Sequence, residues 1–399
     1  ICRLVPPAIV GGRIVPDQWR PCTNEELQEL RLEAARAVLN VIPALPADVA
    51  ERATTSVVGE LSRLLAYPVM DRLRPVLQPH LGDDTRKRQL LLKLDEWLSW
   101  HGRQGATTTP LWYEDVQHWR DELAPATLQD RIRDLTGREY WAVYHIAWRS
   151  DGDAEAAAAY SALAREVLER PEVMTEMEPW LVSPEAVSAP SFLFQLGSND
   201  TMGKMLPTVL AWLPRGSRAI LVASYLTGIR QRTGELPQGA TEALDRAACD
   251  RPADAAEVTL LADTSEQGLR RMMTLLPGLT RERRGILRQF AQDAWNELLS
   301  IEQKQALLAQ FCDWAEAGDP ATVRIAMDIV GMWLHQQPST PPAGLVPVLL
   351  RLAELSALPQ TNVDDYDWKQ VMEALAPAAP QHVAELLAEI GRASGRERG

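Results

Sequence analysis

The sequence predicts an all-α protein: an irregular α-solenoid of antiparallel helix pairs, preceded by a helical N-terminal subdomain. Three observations carry this expectation. Apolar residues recur at helical spacing along most of the chain. Pro, Gly, Ser, Thr and Asp punctuate these stretches where helices start and stop. No run of alternating β-branched residues with hairpin turns occurs. Helices follow one another about every 20 residues, so a pair occupies about 40. Short amphipathic helices cannot each bury an apolar face alone, and stacking side by side gives them a continuous core.

Residues 1–22 read as an extended linker or truncated segment, 23–150 as the helical subdomain, 151–390 as the solenoid and 391–399 as an artefactual tail. Thr23-Asn-Glu-Glu26 has the pattern of a capping box. It opens a helix with Leu27, Leu30, Ala34, Val38 and Val41 along one face, closed by Pro43. Pro46 opens the next helix and Pro68 closes it. Further helices are expected over "VMDRLRPVL", "DDTRKRQLLLKLDEWLSW" and "PLWYEDVQHWRDEL". Beyond residue 150, stops at Pro171, Pro214, Gly234, Pro252 and Pro277 bound five more. One of these is "TMGKMLPTVLAWL". "TRERRGILRQFAQDAWNELL" reads as a single helix, and "SIEQKQALLAQFCDWAEAG", "PATVRIAMDIVGMWLHQQ", "PAGLVPVLLRLAELSAL", "YDWKQVMEALA" and "QHVAELLAEI" complete the series.

Hydrophobic residues make up 46% of the 399, enough for a sizeable core, and the formal net charge is −13. That charge disfavours nonspecific binding to nucleic acid or an anionic membrane, both of which reward a basic surface. Cys2, Cys22, Cys249 and Cys312 form no C-x-x-C pair. Such sparse usage points to free thiols in a reducing cytoplasm. No apolar run approaches the ~18 to 20 residues that span a bilayer. Thirteen Trp accompany only four Phe, an unusual ratio.

Few motifs suggest chemistry. "SFLFQLGSNDTMGKM" places Gly197, Gly203 and Lys204 in a phosphate-loop look-alike. A P-loop spaces its glycines by four residues and follows Lys with a magnesium-binding Ser or Thr. Here five residues intervene and Met205 follows. An interhelical turn capped by Asp200 or Thr201 accounts for the same residues. Trp141, Tyr144 and Trp148 lie on one helical face and form either a partner groove or bulky core filling. Arg281, Arg284 and Arg288 share a face of the expected helix and could meet phosphate or an acidic partner. Asp293 with Glu302 and Lys304 mimics a nuclease metal pattern, but in helices where such carboxylates do not converge. Asp364, Asp365 and Asp367 complement a helix N-terminus. No cofactor or metal is expected.

The spacing of the helices resembles that of HEAT-like and armadillo-like repeats. In texture the chain resembles divergent helical-repeat regions of large bacterial proteins, such as STAND-type NTPases or sirtuin-like defence effectors, where repeats follow an enzymatic domain. The tail "EIGRASGRERG", Glu389 to Gly399, closely resembles a translated sequencing adapter. Together these imply an internal fragment with any catalytic domain upstream. The expected function is a non-catalytic protein-interaction, scaffold or sensor region. The alternatives are a regulatory part of an NTPase or defence effector, and a nucleic-acid-binding repeat.

Overall fold

The structure, a computed structural model, describes residues 24–78, 81–103, 110–138, 152–213, 218–336, 341–356, 361 and 365–396. Every element among them is helical and none is a strand. The chain divides into two compact units, 1–163 with 183–188, and 164–182 with 189–399. The division falls inside the helix Gly152–Glu169. Sequence punctuation at residue 150 does not register it, because a continuous helix carries no stop signal at that point.

In the first unit the helices are α1 (Asn24–Val41), α2 (Ala47–Gly59), α3 (Leu61–Leu64), α4 (Met70–Leu77), α5 (Asp84–Arg103), α6 (Tyr113–Leu123) and α7 (Leu128–Thr136). The capping box expected at Thr23 lies outside the described residues. The expected apolar face of α1 is buried only in part, with Val38 against the core and Ala34 half-buried. Leu30 and Val41 are 50% and 54% exposed, while Ala35, Leu39 and the following Ile42 are buried. Leucine and alanine occur on two sides of this helix, so periodicity alone leaves its rotation open; packing against α4 selects the side. Leu73 and Val76 of α4, Leu90, Leu94 and Trp97 of α5, and Val116 and Trp119 of α6 complete the core. A buried charge network ties α5, α6 and α7. Asp95 accepts from Arg120 at 2.7 Å and from Arg138 at 2.8 Å, and Arg138 also donates to Asp134 at 2.6 Å. Burial disfavours the Arg138 charge, but Asp134 and Asp95 outweigh it and raise its pKa.

The second unit takes in the rest of α8 (Gly152–Glu169), then α9 (Glu172–Leu181), α10 (Ala189–Asn199), α11 (Leu206–Leu210), α12 (Ala219–Thr233), α13 (Gln238–Asp250), α14 (Pro252–Ala262) and α15 (Glu266–Leu275). A 3₁₀ segment (Arg281–Ala291) follows, then α16 (Asp293–Leu298), α17 (Ile301–Glu316), α18 (Ala321–Gln336), α19 (Val346–Ser356), α20 (Asp365–Leu375) and α21 (Pro380–Arg396). α21 runs past residue 391, where the sequence placed the end of the fold. Gly391 and Gly395 are the breakers there, and each costs a helix only about 1 kcal/mol.

Helices in this unit pack both on their neighbours in sequence and on elements two or three further along the chain. α10 packs on α12, α12 on α14, α14 on the 3₁₀ segment, that segment on α18, and α18 on α20. Beside them α11 packs on α13, α13 on α15, and α17 on α19. Side chains reach across these steps to main-chain carbonyls. The Ser198 and Thr227 hydroxyls, closer to Phe194 O and Ala223 O of their own helix, also approach Gly228 O at 3.4 Å and Leu261 O at 3.2 Å, while Trp295 Nε1 donates to Leu260 O at 3.0 Å and Trp333 Nε1 to Phe290 O at 2.9 Å. Trp112 makes the same bond to Leu65 O in the first unit at 2.8 Å. At Trp112, Trp295 and Trp333 an indole fills space as Phe does and also binds a carbonyl, whereas the buried Nε1 atoms of Trp97, Trp212 and Trp368 bind none.

Where α10 crosses α12, two glycines face each other's backbone. A Cβ on Gly197 would overlap the Tyr225 carbonyl oxygen, and one on Gly228 would overlap that of Phe194. Gly197→Ala and Gly228→Ala are each expected to destabilise the protein by about 1–3 kcal/mol through overpacking. Helix propensity alone would stabilise by up to about 1 kcal/mol, so the sign measured by chemical denaturation decides between the two effects.

Candidate functional site

The phosphate-loop look-alike is built as a helix end. "APSFLFQLGSN" is helical throughout, with Gly197 at the α12 crossing rather than in a loop. The apolar stretch before the glycines is therefore no strand. The helix expected over residues 201–213 begins only at Leu206, because residues 200–205 form a turn with Gly203 at φ 66°. Asp200 holds that turn. It is 2% exposed and accepts from Lys204 N at 2.8 Å, Met205 N at 2.7 Å and the Tyr225 hydroxyl at 2.6 Å. Arg232 donates to its carbonyl at 3.0 Å. Burial, then the bond to Asp200, pushes the Tyr225 phenol above its ordinary pKa, so it stays a donor. The exposed Lys204 amine reaches Leu168 O at 3.3 Å. The backbone N–H groups that a phosphate loop would aim at its ligand are those bound by the Asp200 carboxylate.

The three arginines do not share one face. Residues 281–291 adopt 3₁₀ rather than α geometry, and a break at Gln292 separates them from α16. At three residues per turn, positions 281, 284, 287 and 290 align while 288 turns about 120° away. Leu287 and Phe290 on that row are buried. Arg281 lies 3.0 Å from Asp319, Arg284 donates to Asp319 at 2.6 Å, and Arg288 donates to Asp328 at 2.7 Å. Arg284 also stands over the Trp314 ring at 4.1 Å. All three thus meet carboxylates of their own chain. Trp141, Tyr144 and Trp148 lie outside the described residues.

Asp293, Glu302 and Lys304 form no metal set, and no cluster of three or more His, Cys, Asp or Glu among the described residues is placed to hold one. Glu302 instead accepts from Ser300 Oγ at 2.8 Å. Ser300 and Gln303 form a capping box at the start of α17, legible in the sequence as Ser-x-x-Gln.

Lys304 of α17 lies on a cavity of about 380 Å³. The walls come from Leu299 and Ile301, from Leu308 of α17, from Val330 and Trp333 of α18, and from Pro342, Leu345 and Leu349 near and on α19. Asn296 and the exposed Glu297 supply polar edges. The Lys304 amine donates to Asn296 Oδ1 at 2.5 Å and lies 5.1 Å from the Trp333 ring centre. Among the described residues no carboxylate lies within ion-pairing distance of it. Burial lowers its pKa below the ordinary lysine value. No spacing in the sequence announces this cavity, because its walls come from four separate segments.

Comparison with known protein families, curated proteins and solved structures finds no match to this chain.

Two pairs of substitutions separate structural from ligand-binding roles. Asp200→Ala strands two N–H groups and a buried hydroxyl and is expected to cost about 2–4 kcal/mol. Lys204→Ala is expected to stay within about 0.5 kcal/mol. Arg284, 14% exposed, leaves the buried Asp319 without its closest cation when cut to Ala, an expected cost of about 2–3 kcal/mol. Arg281→Ala, at a residue 64% exposed, is expected to cost less than about 1 kcal/mol. Urea denaturation of each variant measures both contrasts.

Proposed function

We propose that the second unit is an irregular α-solenoid and that the chain is a non-catalytic interaction region, a scaffold or sensor that binds a protein partner. The observation that supports this best is the succession of helix contacts along the second unit, with indole to carbonyl bonds spanning 35 and 43 residues. Such stacking leaves long helix surfaces uncovered, and these are where repeat proteins bind other macromolecules. Met332 of α18 and Tyr366 of α20 stand 47% and 62% exposed on helices that pack together. Methionine and tyrosine are side-chain types enriched in interface cores. The engagement of Asp200 and of the 281–288 arginines within the chain weighs against nucleotide and nucleic-acid readings. Among the described residues no helix is long and apolar enough to cross a membrane.

The test uses the full chain cross-linked in extract of its source cells. Partner peptides are expected to join to the second unit, and Met332→Ala with Tyr366→Ala is expected to abolish them without lowering the melting temperature. A melting shift with magnesium-ATP that disappears in Lys204→Ala would overturn the reading in favour of an NTPase.

A further inference from the structure

We propose that the cavity beside Lys304 is a binding site for a small organic monoanion with an apolar body, an aliphatic or aromatic carboxylate, and that the Lys304 ammonium is its counter-ion. This goes beyond the partner-binding reading and stands independently of it.

The cavity volume, about 380 Å³, lies within the range of small-molecule sites. Apolar side chains such as Leu308, Trp333 and Leu345 form part of its walls, and Asn296, Glu297 and Lys304 give it a strongly polar side. One wall is rigid in advance. Trp333 Nε1 is tied to Phe290 O at 2.9 Å, which holds the indole face beside the lysine. A fixed wall reduces the ordering cost of binding.

Charge complementarity identifies the occupant. Two arginines of this unit face carboxylates of the chain, Arg271 with Asp245 and Asp263 and Arg284 with Asp319, while half-buried Arg230 is bound by the Ala262 carbonyl. Lys304 has only the Asn296 carbonyl oxygen and an aromatic face. A partly desolvated ammonium without an anion gains most from one that arrives with its own apolar body. A single ammonium balances a single negative charge. Glu297 on the same lining opposes a dianion such as a phosphate monoester. The apolar body would then lie along Leu299, Ile301, Leu345 and Leu349.

The experiment titrates the full chain with the fluorescent anion 8-anilinonaphthalene-1-sulfonate and displaces it with octanoate or the neutral octanamide. Octanoate is expected to displace the probe. Lys304→Met, which keeps the apolar stem, is expected to weaken octanoate about tenfold or more while octanamide changes little. Leu349→Trp, which fills the cavity, is expected to weaken both. Equal octanoate affinity in the native chain and Lys304→Met would overturn the proposal. So would unchanged binding in Leu349→Trp, or no displacement by millimolar octanoate. Melting curves of both variants accompany the titrations. The removed charge is one that burial disfavours, so Lys304→Met is expected to melt no more than slightly lower. If it does unfold, the native chain and Leu349→Trp still decide the outcome.

Discussion

The close crossing of α10 and α12 sets the spacing on which the second unit is built. Gly197 and Gly228 bring two backbones together, and that proximity lets Ser198 reach the Gly228 carbonyl and Tyr225 reach Asp200. A Cβ at either glycine would push the helices apart and lengthen both bonds. α12 in turn packs on α14 through Thr227, and α14 receives Trp295. Each step therefore inherits its register from the one before.

Polar groups fix what apolar burial leaves free. Apolar packing is non-directional, whereas a buried carboxylate must find donors at defined positions. Asp200 closes the α10–α11 turn, Asp319 gathers Arg281 and Arg284, and Asp263 with Thr259 holds Arg271. In the first unit Asp95 does the same for α5, α6 and α7. Asp95, Asp263 and Asp319 meet arginines, and Asp200 is satisfied by neutral donors. Lys304 meets no carboxylate, and it stands on the wall of a cavity.

The 3₁₀ segment shows how tertiary packing overrides a helical pattern. Its sequence supports an α-helix with three arginines on one side. The tighter winding instead aligns Arg281 and Arg284 with buried Leu287 and Phe290. One face then serves both the charge contact to Asp319 and the apolar contact to α18, which the α-helical spacing would divide between two faces.

Helix class, most helix limits and several caps were determined by the sequence alone. Pro252 at the start of α14, Ser300 with Gln303 at the start of α17 and left-handed Gly234 at the end of α12 each act through their own backbone and nearest residues. The sequence also contained every residue of the Lys304 cavity without marking any of them. Only the tertiary structure decided which face of α1 is buried, that Gly197 sits inside a helix at a close crossing, that 281–291 winds as 3₁₀, and that Asn296, Lys304, Trp333 and Leu349 meet. Starts and stops are encoded over a few neighbouring residues. The rotation and partners of a helix depend on surfaces supplied 30 to 43 residues away, and no local pattern contains them.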